Sequence, residues 1–167
     1  MDARYRSALL GPLLPAVTSL VVVAACTTPA VAPTPGWQPP AGFTAAPSTV
    51  SVADGRTLRL WVAPTGWYVE SLASGRHEGA VGAAGGRDQY GVSVVLDGLV
   101  GIVPVDGAQA VEVGAPPDAV RTDLHSGVFL VPATVVAPAD RDVLVTPLDA
   151  AGRPIASTSR VPISGRG

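Results

Sequence analysis

Hydrophobic positions are distributed along this chain in three different ways. From Ala8 through Val23 they run together almost without polar interruption, and from Thr27 to Pro47 they lie scattered between prolines. From residue 48 onward they form short runs, several strictly alternating, separated by turn residues. In Thr57–Val62, Leu58, Leu60 and Val62 alternate with Thr57, Arg59 and Trp61, the period of a strand with one buried face. Trp67–Leu72 repeats it, with Trp67, Val69 and Ser71 on one face and Tyr68, Glu70 and Leu72 on the other. Asp54-Gly55 separates Thr49–Val52 from the first of these strands, and Pro64-Thr65-Gly66 turns the chain between the two. Further strands are predicted at Val92–Leu96, Leu99–Val103, Ala110–Val113, Gly127–Val131, Thr134–Val136, Val143–Pro147 and Pro154–Ala156. Asp97-Gly98 is a two-residue loop of the type that closes tight hairpins, because both positions tolerate positive φ. Short strands at this spacing, with no helical period, predict an all-β fold: a small antiparallel β-sandwich or partly open barrel. Residues 75–91 show no period and read as a flexible surface loop.

The apolar run at the N-terminus follows Arg4 and Arg6 and ends at Val23-Ala24-Ala25-Cys26. A short basic head, an apolar middle and small residues before a cleavage point describe a secretory signal peptide. The last four residues resemble the lipobox of bacterial lipoproteins, an aliphatic residue and two small ones before a Cys. That resemblance implies a diacylglyceryl thioether on Cys26, peptidase cleavage between Ala25 and Cys26, and fatty-acyl chains such as palmitate holding the mature chain to a membrane. Two or more chains, at about 0.8 kcal/mol per buried methylene, anchor firmly where one does not. Two alternatives stay open: an uncleaved membrane-spanning helix over Ala8–Ala25, or release by an ordinary signal peptidase.

Composition narrows the rest. With 167 residues there is room for one domain after the signal. Nineteen Gly and seventeen Pro favour short elements joined by many turns over long helices. All basic side chains are Arg, and the net charge of −2 supplies no basic footprint for nucleic acid. Cys26 is the single Cys, so no internal disulfide and no Cys-based metal site can form. Six prolines and no charge between Thr27 and Pro47 describe an extended tether, spanning roughly 60 Å at about 3.1 Å per residue. Trp37 and Phe43 are unusual in a spacer; they predict that the tether's end lies against the domain, with a partner-docking motif as the sharper reading. The chain therefore divides into a signal peptide (1–25), a lipidated Cys with Pro-rich tether (26–47) and a β domain (48–167).

Gly101-Ile102-Val103-Pro104-Val105-Asp106-Gly107, Ala110-Val111-Glu112-Val113, Gly127-Val128-Phe129 and Leu148-Asp149-Ala150-Ala151-Gly152-Arg153 together resemble a pattern in exported actinobacterial proteins of uncharacterised function. The resemblance covers roughly residues 90–155. It rests on turns and buried strands, so it implies a fold and no reaction. The Cys pair that many such proteins carry is missing here.

Little in the sequence asks for catalysis. His77-Glu78 lacks a second His four residues on, and Gly82-Ala83-Ala84-Gly85-Gly86 lacks the spacing and the Lys of a phosphate loop. His77 and His125 read as solvated loop histidines. Leu124-His125-Ser126-Gly127 sets a base beside a hydroxyl, but strand neighbours point to opposite faces, and Ser93 has no partner in sequence. Trp61, Trp67, Tyr68 and Tyr90 are either core or a surface for stacking on sugars or packing on a protein. No catalytic, cofactor-binding or metal-ligating residue is assigned. The expectation is a lipoprotein anchored on the extracytoplasmic face of the cell membrane, with a non-catalytic binding or structural domain. An envelope protein or glycan is the expected ligand class, and nucleic acid is not a partner. The alternative is a small envelope hydrolase, which a pocket converging His125, Asp123 and a hydroxyl would favour.

Overall fold

The computed structural model describes residues 37–165, which form eleven strands and two short 3-10 turns, with no α-helix among the described residues. Cys26 and the whole signal segment lie outside them. The fold is all-β.

β1 (Thr44–Ser51), β2 (Arg56–Ala63), β3 (Gly66–Ala73) and β4 (Arg76–Ala84) form a four-stranded antiparallel sheet in chain order. The alternation in β2 and β3 is realised as expected: Leu58, Leu60, Val62, Trp67 and Val69 are buried on one face. The second sheet holds β5 (Gly91–Val95), β6 (Gly98–Ile102), β7 (Ala110–Val113), β8 (Val120–Asp123), β9 (Val128–Pro132), β10 (Asp142–Leu148) and β11 (Ser159–Ser164). Its order is β8-β7-β10-β11-β5-β6-β9, antiparallel throughout except where β11 runs parallel to β5. The edge strands β8 and β9 are consecutive in the chain, turned at Ser126-Gly127 and bridged at His125 and Val128, so this sheet curls into a nearly closed barrel.

Two apolar clusters follow from this arrangement. Inside the curled sheet lie Leu99, Phe129, Val131 and a set of valines that includes Val111, Val113, Val143, Val145 and Val161. On the other side of the β6–β9 wall, Val100, Val128 and Leu130 pack against Leu58, Leu60, Val62, Trp67 and Val69 of the four-stranded sheet. β6 and β9 are thus covered on both faces. This is why they read as continuous apolar runs, Gly98–Ile102 and Val128–Pro132, and not as alternating ones.

Several sequence expectations are corrected. Residues 75–91 are not one flexible loop: β4 occupies Arg76–Ala84, closed onto β3 by a two-residue turn in which Ser74 and Gly75 both have positive φ. Its Gly and Ala content hides the strand, since small side chains give no apolar period. The Asp97-Gly98 loop is displaced by one residue. Leu96 (φ 52°) and Asp97 (φ 68°) are the turn, while Val95 pairs with Gly98 inside β6. Asp97 accepts a hydrogen bond from Arg56 of β2, tying this turn to the four-stranded sheet. Thr134–Val136 is no strand: Thr134 and Val135 belong to a 3-10 turn over Ala133–Val135, capped by Val136, where the chain leaves the end of β9. Pro154–Ala156 contributes only a bridge from Pro154 to Leu148, because proline lacks the N–H to continue a ladder. β8, only four residues long, and β11, whose side chains are mostly not buried, escape the apolar pattern altogether. β1 begins at Thr44, so the folded part takes in residues that read as tether.

Candidate functional site

The outward face of the four-stranded sheet carries its polar and aromatic side chains. Residues opposite one another in an antiparallel ladder share a face, and the register sets Trp61 opposite Tyr68 and Arg59 opposite Glu70. On β4 the register shifts beside Ser71 and Leu72, leaving Glu78 as the extra residue of a bulge and His77 opposite Leu72. Without that bulge His77 would stand on the inner face. With it, His77 joins Trp61, Tyr68, Arg59 and Glu70.

Glu70 is the hub of this face and is buried, 4% exposed. Its Oε2 accepts the Trp61 indole N–H at 2.9 Å and lies 3.7 Å from the Arg59 guanidinium. Its Oε1 lies 3.2 Å from His77 Nδ1. An ionised carboxylate only accepts, so the His77 tautomer with a proton on Nδ1 completes the set. A carboxylate removed from water needs such partners, and here each oxygen meets one hydrogen-bonding partner, with the Arg59 guanidinium beside them as counter-charge. Arg59 also lies over the Trp61 ring, 5.9 Å from its centroid.

The end of the Pro-rich segment roofs this arrangement. The Trp37 indole stacks on the His77 imidazole at 5.0 Å and 7° between planes, and meets Trp61 and Tyr68 edge-on at 6.3 and 6.0 Å. After Pro39-Pro40 a turn closed by the Phe43 N–H on the Pro40 carbonyl brings Phe43 edge-on to Tyr68 at 4.9 Å. Tyr68 itself lies across Gly82 of β4, where a Cβ would stand 2.2 Å from the ring. The tether's end does lie against the domain, as the two aromatics predict. Of the two tryptophans in β2 and β3, Trp67 is core and Trp61 belongs to the roofed outer face.

The remaining sequence candidates are placed elsewhere. His77 is not a solvated loop histidine but a strand residue held by Glu70 and Trp37. Glu78 accepts from the Ser71 hydroxyl at 3.3 Å. His125 has its Nε2 buried without a partner in a crevice of about 10 Å³ lined by Asp123, Thr122, Ser48 and Leu130. Ser126 occupies the positive-φ turn after His125, and its carbonyl accepts from Arg87. No pattern in the sequence singles out Arg87. It ties three backbone carbonyls together, those of Ala63, Gly66 and Ser126, and so joins the β2–β3 turn to the β8–β9 turn. Partial burial lowers its pKa from the ordinary arginine value. Ser93 pairs with Val100 within the barrel wall, and Tyr90 packs on the barrel core.

Among the described residues no group of three or more His, Cys, Asp or Glu side chains is arranged to hold a metal ion. No helix among them is long and apolar enough to cross a membrane. The chain matches no protein-family model, no curated protein and no solved structure.

Proposed function

We propose that this protein is a lipoprotein of the bacterial cell envelope, held to the extracytoplasmic face of the cell membrane through Cys26, whose β domain binds or braces an envelope component and catalyses no reaction. The observation that carries the anchoring is the apolar run that closes on Val23-Ala24-Ala25-Cys26. Support for a binding or structural role comes from the outward face of the four-stranded sheet. Its ionisable groups are spent on one another around Glu70, and Trp37, Phe43, Trp61 and Tyr68, each half-buried, gather over them as an aromatic cluster of the kind that packs on a glycan or a protein.

The alternative, a small envelope hydrolase, draws on the crevice that gathers His125, Asp123 and Ser48. At about 10 Å³ it has room for one water and none for a sugar ring or peptide bond. The binding reading is therefore preferred.

Expression in a lipoprotein-processing host with a radiolabelled fatty acid tests the anchor. The wild type should incorporate label and partition with membranes, whereas Cys26→Ser should lose the label and accumulate unprocessed precursor. Equal labelling of both chains would refute the anchored reading.

A further inference from the structure

We propose that the outer edge of β4 is a self-association surface, on which a second copy of this chain pairs its own β4 antiparallel to form a continuous eight-stranded sheet. Exposed strand edges offer unpaired N–H and C=O groups, and proteins blunt them with proline, charge, bulges or cover. The other edges here are managed. β1 carries Pro47 and a register shift between Ala45 and Thr49, and β8 and β9 turn toward each other as the barrel curls. β4 is managed only at its start, where Arg76, His77 and Glu78 accompany the bulge.

From Gly79 to Ala84 the strand is regular, uncharged and free of proline, reading Gly-Ala-Val-Gly-Ala-Ala. Among the described residues it pairs with β3 alone. In its middle stands Val81, 41% exposed, one of two large apolar side chains left so open among the described residues.

That sequence suits a copy of itself. A two-fold axis through the sheet places like faces together when residues of the same parity are opposed. Centred on Val81, the register sets Val81 against its own copy, Gly79 against Ala83 and Ala80 against Gly82. Every opposed side chain is then small or apolar, and Glu78 falls opposite Ala84, so no like charges meet. Both copies of Val81 are covered in one contact. A charged foreign strand would find no counter-charge along this stretch.

The test uses the full chain with Cys26→Ser, purified in detergent micelles, and two readouts. Light scattering across a concentration series should give a protein mass rising to twice the monomer, and Val81→Lys should return it to the monomer. On mild oxidation, Val81→Cys should form a disulfide-linked dimer. Opposed Cα atoms in an antiparallel pair lie about 4.5–5.5 Å apart, within the span a disulfide bridges. Ile155→Cys, equally exposed at 40%, should stay monomeric. A monomer up to millimolar concentration, a dimer indifferent to Val81→Lys, or cross-linking no greater at Val81 than at Ile155 would each overturn the proposal. Should Val81→Lys fail to fold, the cysteine pair decides alone.

Discussion

The four-stranded and seven-stranded sheets share a chain and a β6–β9 wall, yet they are assembled differently and carry different side chains. The first is a run of hairpins in which every strand pairs with its chain neighbour, so its register is set locally by turns such as Pro64-Thr65 and Ser74-Gly75. The second brings β10 between β7 and β11 and sets β11 beside β5, pairings that span large separations in sequence. Its interior is a valine-rich cluster around Phe129. Charged and aromatic side chains collect instead on the outward face of the local sheet, around Glu70. The contrast separates two tasks. The long-range sheet supplies an apolar wall, and the hairpin sheet, packed against that wall on one face, carries polar and aromatic groups on the other.

If that division is right, damage to the barrel core should unfold both sheets. Phe129→Ala removes a fully buried ring and should cost about 3–5 kcal/mol. Denaturant unfolding followed by tryptophan fluorescence, which reports the four-stranded sheet, should shift with the same midpoint as far-ultraviolet circular dichroism. Separated transitions would break the comparison and show two independent units. The Glu70 hub should weigh less. Glu70→Ala strips the acceptor from Trp61 and His77 and the counter-charge from Arg59, and the lost charged hydrogen bonds should cost about 1.5–3 kcal/mol. Glu70→Gln keeps shape and one acceptor, so it should recover part of that loss in the same measurement.

The legible parts of this fold are those with a strong side-chain period. β2 and β3 announce themselves through Leu58, Leu60, Val62, Trp67 and Val69, and β6 and β9 through unbroken apolar runs. β4 does not, because Gly-Ala-Val-Gly-Ala-Ala carries no contrast between faces and is held by backbone bonds to β3. β11 escapes for a different reason: it follows β10 after an irregular stretch, its other partner β5 is distant in sequence, and most of its side chains are not buried. The Glu70 face was half visible. Alternation placed Tyr68 and Glu70 together, but bringing His77 to them requires the bulge at Glu78, which no local pattern marks. Arg87 and its three carbonyls depend on two turns meeting in space, which no pairwise spacing encodes.

The boundary between the sheets gives a prediction whose cause differs from the one its sequence suggests. Gly98 follows a turn, so a demand for positive φ is the natural expectation. The structure places it in extended β6, where an added Cβ would stand 2.5 Å from Leu58 Cδ1 and 3.0 Å from Leu130 Cδ1. Gly98→Val should therefore destabilise by overpacking, by about 1–3 kcal/mol, and by forcing the sheets apart. The double variant Gly98→Val/Leu58→Ala tests the cause, since relieving the clash should make the two costs less than additive. Strictly additive costs would return the explanation to backbone strain in the turn.

The smallest effect should come from the roof. Trp37 touches His77, Trp61 and Tyr68 with its ring, yet it contributes to neither apolar cluster. Aromatic pairs of this kind contribute about 0.5–1.5 kcal/mol beyond their area. Because Trp37 stays partly in solvent, Trp37→Ala should cost only about 1 kcal/mol in global unfolding. Its local consequences should be larger than its energy. Near-ultraviolet circular dichroism should lose the signal of the packed rings, and limited proteolysis should open the segment between Trp37 and Phe43, while the Phe129 core keeps its protection from hydrogen exchange. Phe43→Ala should do the same through Tyr68. A Trp37→Ala loss as large as that of Phe129→Ala would make the roof part of the core. An unchanged near-ultraviolet spectrum would mean that the outward face carries its aromatics uncovered, with Glu70 open to whatever the sheet meets.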